Sequence, residues 1–321
     1  MKQFLIYSKE FGLSMACVQL KESLIERKNG YSDYYIKNAS EYMIKELQLI
    51  IREYQKTSGN IVFPSDEMHC SDDKRMVWIC WWQGYEKMPP IVRACYRRVC
   101  NVFNDEKSEV VLITEKNYSD YITFPDYIIK KYQSGIISNA HYADILRWGL
   151  MAKYGGIWID ATVFLTYDSS DAIKKALSLP FYTRKLANAS ECPNEPCRGL
   201  WCNFYFMGHH NSNVRIFSFV YNSLLFYWKK HEIAFHYVFL DYIIWAAYQN
   251  ISDIKELIDK VPANNKHVWY LSSRMNDIYN EEEWKLLLSK NDFYKLTYKS
   301  QWVEYTPDKK STYYGYIINQ L

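Results

Sequence analysis

Apolar and polar positions change their period along this chain, and the changes divide it into elements. Residues 1–59 carry Leu, Ile, Lys and Glu in helix-compatible runs that end in the polar turn TSGN, which predicts a helical opening. RMVWICWWQG, residues 75–84, reads as a strand entering a loop, and MPPIVRACYRRVCNVF follows as a helix with proline in its first turn. EVVLIT, 109–114, predicts a second strand. Helices over 125–133 and 139–154 come next, the latter with Ser138 as N-cap and a Gly155-Gly156 stop before a strand over 157–159. Farther on, the pattern predicts a helix over 171–177, a strand over 181–184, a loop holding Pro193, Pro196 and Gly199, a strand over 202–208, and helices over 213–230 and 236–250. FYKLTYK, 293–299, alternates with a period of two and sets Lys295, Thr297 and Lys299 on one side.

Strands separated by helices at this spacing indicate an α/β fold with a sheet covered on both faces. In such sheets ligands gather beyond the carboxyl ends of the strands, where the Trp81–Gly84 loop and Asp160 fall. The division expected is an accessory helical region over 1–74 and a catalytic domain over 75–321.

Composition narrows the function. The 321 residues are 49% apolar, enough for a large core. With 39 basic against 36 acidic residues, the chain lacks the one-sided basic field of a nucleic-acid binder. Eight scattered cysteines and an opening with no continuous apolar core suggest a reducing, cytoplasmic setting rather than export. No apolar run approaches the roughly 18 residues of a membrane span, so membrane contact would be peripheral, at the inner face of the plasma membrane. Aromatic residues reach 17%, with 30 Tyr and 11 Trp, which serve as core or as flat faces for sugars and bases.

The candidate chemistry centres on GGIWIDATVF, 155–164, where Asp160 closes a short apolar strand after a helix stop. An acid there can hold a divalent cation, Mn²⁺ or Mg²⁺, or can simply close a turn. Upstream, His141, Asp144 and Arg147 recur at three-residue spacing on one side of a helix that is otherwise mostly apolar. Asp144 and Arg147 are either an intrahelical ion pair or ligand-facing groups, whereas His141 reads as a core or cap histidine. Cys192, Cys197 and Cys202 are spaced too widely for a zinc pair.

VWICWWQG, ISNAHYADILRW, KYGGIWIDATVFLT and FYKLTYK together resemble the capsular-polysaccharide-synthesis type of glycosyltransferase, related to the Asp-x-Asp-containing family 32 sugar transferases. The likeness covers about residues 75–299 and is strongest from Ala143 to Thr162. It implies a GT-A nucleotide-sugar-binding fold, a Rossmann-like mixed sheet flanked by helices, and retaining transfer of a hexose from UDP- or GDP-hexose to an oligosaccharide or lipid-linked saccharide acceptor. The alternative is a carbohydrate-binding or assembly subunit of the same fold without turnover. One departure stands out: the motif's second acid is replaced by Thr162.

By this resemblance, Asp160 is the metal ligand, Asp144 accepts from ribose or sugar hydroxyls, and Arg147 holds the donor with its planar fork. The implied donor site continues through Gly156 and Thr162 and an indole, Trp78, Trp81 or Trp82, with Gln83 beside the last. Stacking of a base on an indole is worth roughly 1–3 kcal/mol. Trp78 is equally a core residue. Lys295 and Lys299 serve as phosphate contacts or as a solvated strand face. Acceptor contacts are expected from Asn203, His209, His236 and Asp241, although Asp241 could merely cap a helix turn.

Overall fold

A computed structural model of the protein describes residues 2–25, 30–56, 74–166, 176–208 and 215–320. His209 and most of the helix expected over 171–177 lie outside these residues.

Three helices open the chain: α1 (Lys2–Ser23), α2 (Asp33–Glu46) and α3 (Gln48–Lys56). The Ser32 side chain caps α2 by accepting from the Tyr35 N–H, while α1 breaks at Gly12, whose φ of 86° leaves the helical region. There follow β1 (Arg75–Cys80), α4 (Pro90–Val102), β2 (Ser108–Ile113), α5 (Asp126–Gln133), α6 (Asn139–Tyr154), β3 (Gly156–Ile159) and β4 (Val163–Leu165). Beyond these lie β5 (Phe181–Thr183), β6 (Tyr205–Gly208), α7 (Arg215–Lys230), α8 (Phe239–Asn250) and α9 (Ser252–Asp259). The chain continues with α10 (Tyr270–Ser273), α11 (Glu281–Lys290), β7 (Phe293–Lys295) and α12 (Tyr313–Gln320).

Five strands form a mixed sheet in the order β2-β1-β3-β6-β5, with β1 parallel to both β2 and β3, and β6 antiparallel to β3 and β5. β4 and β7 make a separate antiparallel pair. Trp78 pairs with Trp158 and Trp158 with Phe206, so the pleat points all three to one face. There Trp148 of α6 stacks on Phe206, with ring centroids 4.9 Å apart. On the opposite face Tyr205 stacks on Phe293 of β7 at 4.2 Å. Burying one such ring is worth roughly 1.5–3 kcal/mol, against about 0–1 for an exposed ion pair, so apolar contact between the layers dominates the energetics.

The opening helices share this core. Phe11 packs edge-on to Phe235 at 5.3 Å and Tyr54 edge-on to Phe219 at 5.1 Å. His231, at the end of α7, lies between Glu10 and Glu46, 3.1 and 3.2 Å away. Among the described residues no helix is long and apolar enough to cross a membrane.

Two expectations are corrected. The strand expected from 202 begins at Tyr205, because the Cys202 N–H is held instead by the Thr183 hydroxyl at 3.1 Å. The period-two run FYKLTYK is a strand only to Lys295. Its partner β4 begins at Val163, after a turn closed by Val163 N–H on the Asp160 carbonyl. Leu296 takes the Thr162 carbonyl, and beyond that β4 offers no strand backbone to pair with residues 297–299.

Candidate active site

The sheet order reverses at β1: the chain leaves β1 for β2 on one side and returns as β3 on the other. Outside the carboxyl ends of two such parallel strands lies a crevice that α/β sheets use for ligands. The loop after β1 carries Trp81 to Gly84, and Asp160 follows β3 directly. Because β6 runs antiparallel to β3, its first residues reach the same edge, and the Asp160 N–H bonds the Phe204 carbonyl at 2.9 Å.

Four charged side chains converge here. Asp160 Oδ2 accepts from Lys295 Nζ at 2.7 Å, and Oδ1 accepts from Trp158 Nε1 at 2.9 Å while facing Arg147 Nη1 at 3.6 Å. Arg147 Nη2 lies 3.2 Å from Asp144 Oδ1, its Nη1 also donates to the Asn203 carbonyl, and its Nε donates to the Ala143 carbonyl. Asp144, Arg147 and Lys295 side chains are 13–14% exposed and Asp160 25%, so these charges face little water. One turn of α6 sets Asp144 and Arg147 side by side, as their spacing requires.

A second tier adjoins them. Asp241 Oδ1 accepts from both Trp201 Nε1 at 2.8 Å and Asn203 Nδ2 at 2.7 Å. Burial pushes the Asp241 carboxyl up to about 6, against the lowering effect of those two bonds. Burial likewise raises Asp144 to about 6, partly offset by Arg147. For Asp160 burial works upward too, but Lys295 and Arg147 outweigh it and hold the carboxyl below its ordinary range. Asp144 and Asp160 similarly overcome burial to keep Arg147 above its ordinary value.

The other expected residues divide. Thr162 meets β7 through its backbone carbonyl, which accepts from Leu296. Lys299 is exposed beyond the strand, its N–H on the Thr297 hydroxyl. Trp82 is fixed among Tyr118, Tyr132 and Tyr142, with ring centroids 5.2, 6.0 and 5.5 Å away, and Gln83 beside it is exposed. Trp78 is corrected as a donor contact: it is fully buried, with Nε1 on the Gly155 carbonyl at 3.0 Å, so no base can stack on it. Gly156 serves packing, since a Cβ at its φ of 92° would lie 2.2 Å from the Met76 carbonyl oxygen of β1. His236 packs against Tyr31, Tyr35 and Tyr242, with burial lowering its pKa to about 4, and its Nδ1 accepts from Val238. His141 sits against Trp228 and Phe239.

Further aromatic residues complete the rim, of which only Trp81 was among the sequence candidates. Trp158 orients Asp160 from two positions upstream, a strand spacing that puts both on one face and was therefore legible. Trp81 packs edge-on to Tyr298 at 5.2 Å, and Phe204 lies 5.7 Å from half-exposed Trp269 and 5.2 Å from Lys295 Nζ. Only folding brings these rings together.

As placed, the residues do not fit a resident divalent ion. Both Asp160 oxygens hold donors, two of its neighbours are cations, and no group of three His, Cys, Asp or Glu gathers among the described residues. Cys80, whose titration feels Arg147 and Asp160, is a thiol pushed up to about 12 by burial and offers no thiolate.

A sequence profile described as "Capsular polysaccharide synthesis protein" matches residues 25–317. The chain is also similar to the protein named O-glycosyltransferase braB from Annulohypoxylon truncatum, 32% identical over 118 residues. That match takes in 35% of this chain and 28% of the relative, so the matched stretch spans little more than a quarter of the relative's length. No solved structure matches the chain at a significant level.

Proposed function

Since this chain belongs to the family of capsular polysaccharide synthesis proteins, we propose that it is a glycosyltransferase of GT-A type, moving a hexose from a nucleoside-diphosphate sugar to a saccharide acceptor. The acceptor is a growing surface polysaccharide, met on the cytoplasmic side. The observation that carries this reading is the Asp144–Arg147–Asp160–Lys295 cluster, seated where the strand order reverses. The named glycosyltransferase among the similar proteins agrees with it.

In this reading the donor diphosphate lies against Lys295 and Arg147, whose charges offset the negative charge that grows as the glycosidic bond breaks. Asp160 fixes both cations, and Asp144 accepts from donor hydroxyls. The anomeric C1–O bond breaks with its electron pair going to the leaving phosphate oxygen, and the acceptor oxygen bonds C1 from the same face. Its proton passes to that phosphate oxygen, so configuration is retained without an enzyme nucleophile. Asn203, whose carbonyl accepts from Arg147, and Asp241, which accepts from Asn203, meet the acceptor in this reading.

Hydrolysis and transfer assays over a panel of UDP- and GDP-sugars test this reading. One donor should turn over, and Asp160→Asn should lower the rate by about a hundredfold with the fold intact, the scale set by losing a charge-stabilising group. A variant turning over its verified donor at the original rate overturns the role of Asp160. A binding subunit without turnover would instead bind glycan and ignore every nucleotide.

A further inference from the structure

A departing diphosphate needs positive charge, from a divalent ion or from basic side chains. A magnesium or manganese ion takes about six hard oxygen ligands at about 2.0–2.2 Å, and is repelled by nearby cations. At the end of β3, Asp160 Oδ2 already carries Lys295 Nζ at 2.7 Å, and Oδ1 is turned by Trp158 Nε1 toward Arg147. An indole N–H only donates, so this bond is made with the carboxylate as acceptor.

Among the described residues the nearby acids and the Thr162 carbonyl are already engaged, and the one buried side-chain oxygen beside them without a partner, Asn203 Oδ1, is a neutral amide. The Asp144 carboxylate is paired with Arg147, Asp241 receives Trp201 and Asn203, and the Thr162 carbonyl receives Leu296. Lys295, by contrast, is well anchored: its strand pairs with β4, its N–H bonds the Val268 carbonyl at 2.7 Å, and its ammonium lies over the Phe204 ring. An ammonium is a compact point charge with three donors, of which Asp160 takes one.

We propose that Lys295, held by Asp160 and acting beside Arg147, takes the place of a metal in neutralising the leaving diphosphate, so that this chain binds and transfers its donor without a divalent ion. Asp160 is then a positioning residue for Lys295 and Arg147. The inference rests on the transferase reading above and adds that the motif's missing second acid, at Thr162, accompanies a built-in cation. Lys295 keeps its protons throughout and only donates hydrogen bonds, so the proton balance of the transfer step is unchanged.

Titration calorimetry with UDP, GDP, ADP, CDP and dTDP, in EDTA and in MnCl₂, tests it. The wild-type chain should bind one of them with the same Kd in both media. Lys295→Ala should weaken that binding about ten- to a hundredfold in EDTA, the range for a lost charged hydrogen bond, while Lys295→Arg retains most of it. Thermal melting shows that the variants are folded, and the wild-type comparison needs no variant. Wild-type binding that tightens tenfold or more with Mn²⁺ overturns the inference and spares the transferase reading, and so does folded Lys295→Ala binding as well as wild type. Failure of every nucleotide in both media removes both.

Discussion

Arg147 is committed on every side, to Asp144, Asp160 and two backbone carbonyls, which makes it the pin of the site as much as a donor contact. A lysine there would supply one compact charge in place of a planar fork, so Arg147→Lys should reduce kcat/KM by about tenfold or more. Asp144, raised to about 6, must be ionised to hold Arg147 and accept from the donor. The kcat/KM profile should therefore fall about tenfold per pH unit below about 6, and a flat profile down to pH 5 would contradict that role. Asp241 gives a stability test. With its ordinary 3.8 raised to about 6, the folded chain binds the extra proton between those values, so its contribution is most favourable below the window and declines as pH rises through it. Asp241→Asn keeps an acceptor for Trp201 and removes that decline; melting curves should show the variant at or above wild type at pH 8, with the difference gone or reversed near pH 4.

The strand pair β1 and β3 is set by what Gly156 lacks. Its positive φ and the 2.2 Å approach of a Cβ to the Met76 carbonyl mean that Gly156→Ala strains the backbone and pushes β3 from β1. A loss of about 2 kcal/mol or more is expected, visible in thermal melting as a drop of several degrees. Legibility followed the same logic at this scale. The helix α6, with Ser138 as cap and Gly155 as stop, was readable because its signals lie within one turn of its ends. The pair β4–β7 was not, because three-residue strands carry too little pattern, and their partners lie 132 residues apart between Val163 and Lys295 in the pairing register.

The helices α1 to α3 are joined to the rest by continuous apolar packing, from Phe11 on Phe235 to Tyr54 on Phe219. The chain should consequently unfold by calorimetry in one transition, and a separate early transition for the opening helices would refute this coupling. Acid should loosen the joint. Burial raises the Glu46 carboxyl, but His231 and Lys230 outweigh it and bring it to about 2, below its ordinary 4.5. The stability it adds is present above 4.5 and is lost as pH falls toward 2, so Glu46→Gln should lower the melting temperature at pH 7 and leave it nearly unchanged near pH 2.

Sequence alone determined the alternation of strands and helices, the place of Asp160 at a strand end, and the shared side of Asp144 and Arg147, because each depends on periods of a few residues. Only the tertiary structure decided that Lys295, from a strand far along the chain, neutralises Asp160, that Asn203 links Arg147 to Asp241, and that Trp78 is core. Those outcomes depend on which strands become neighbours and which faces are covered, and the whole core sets both at once.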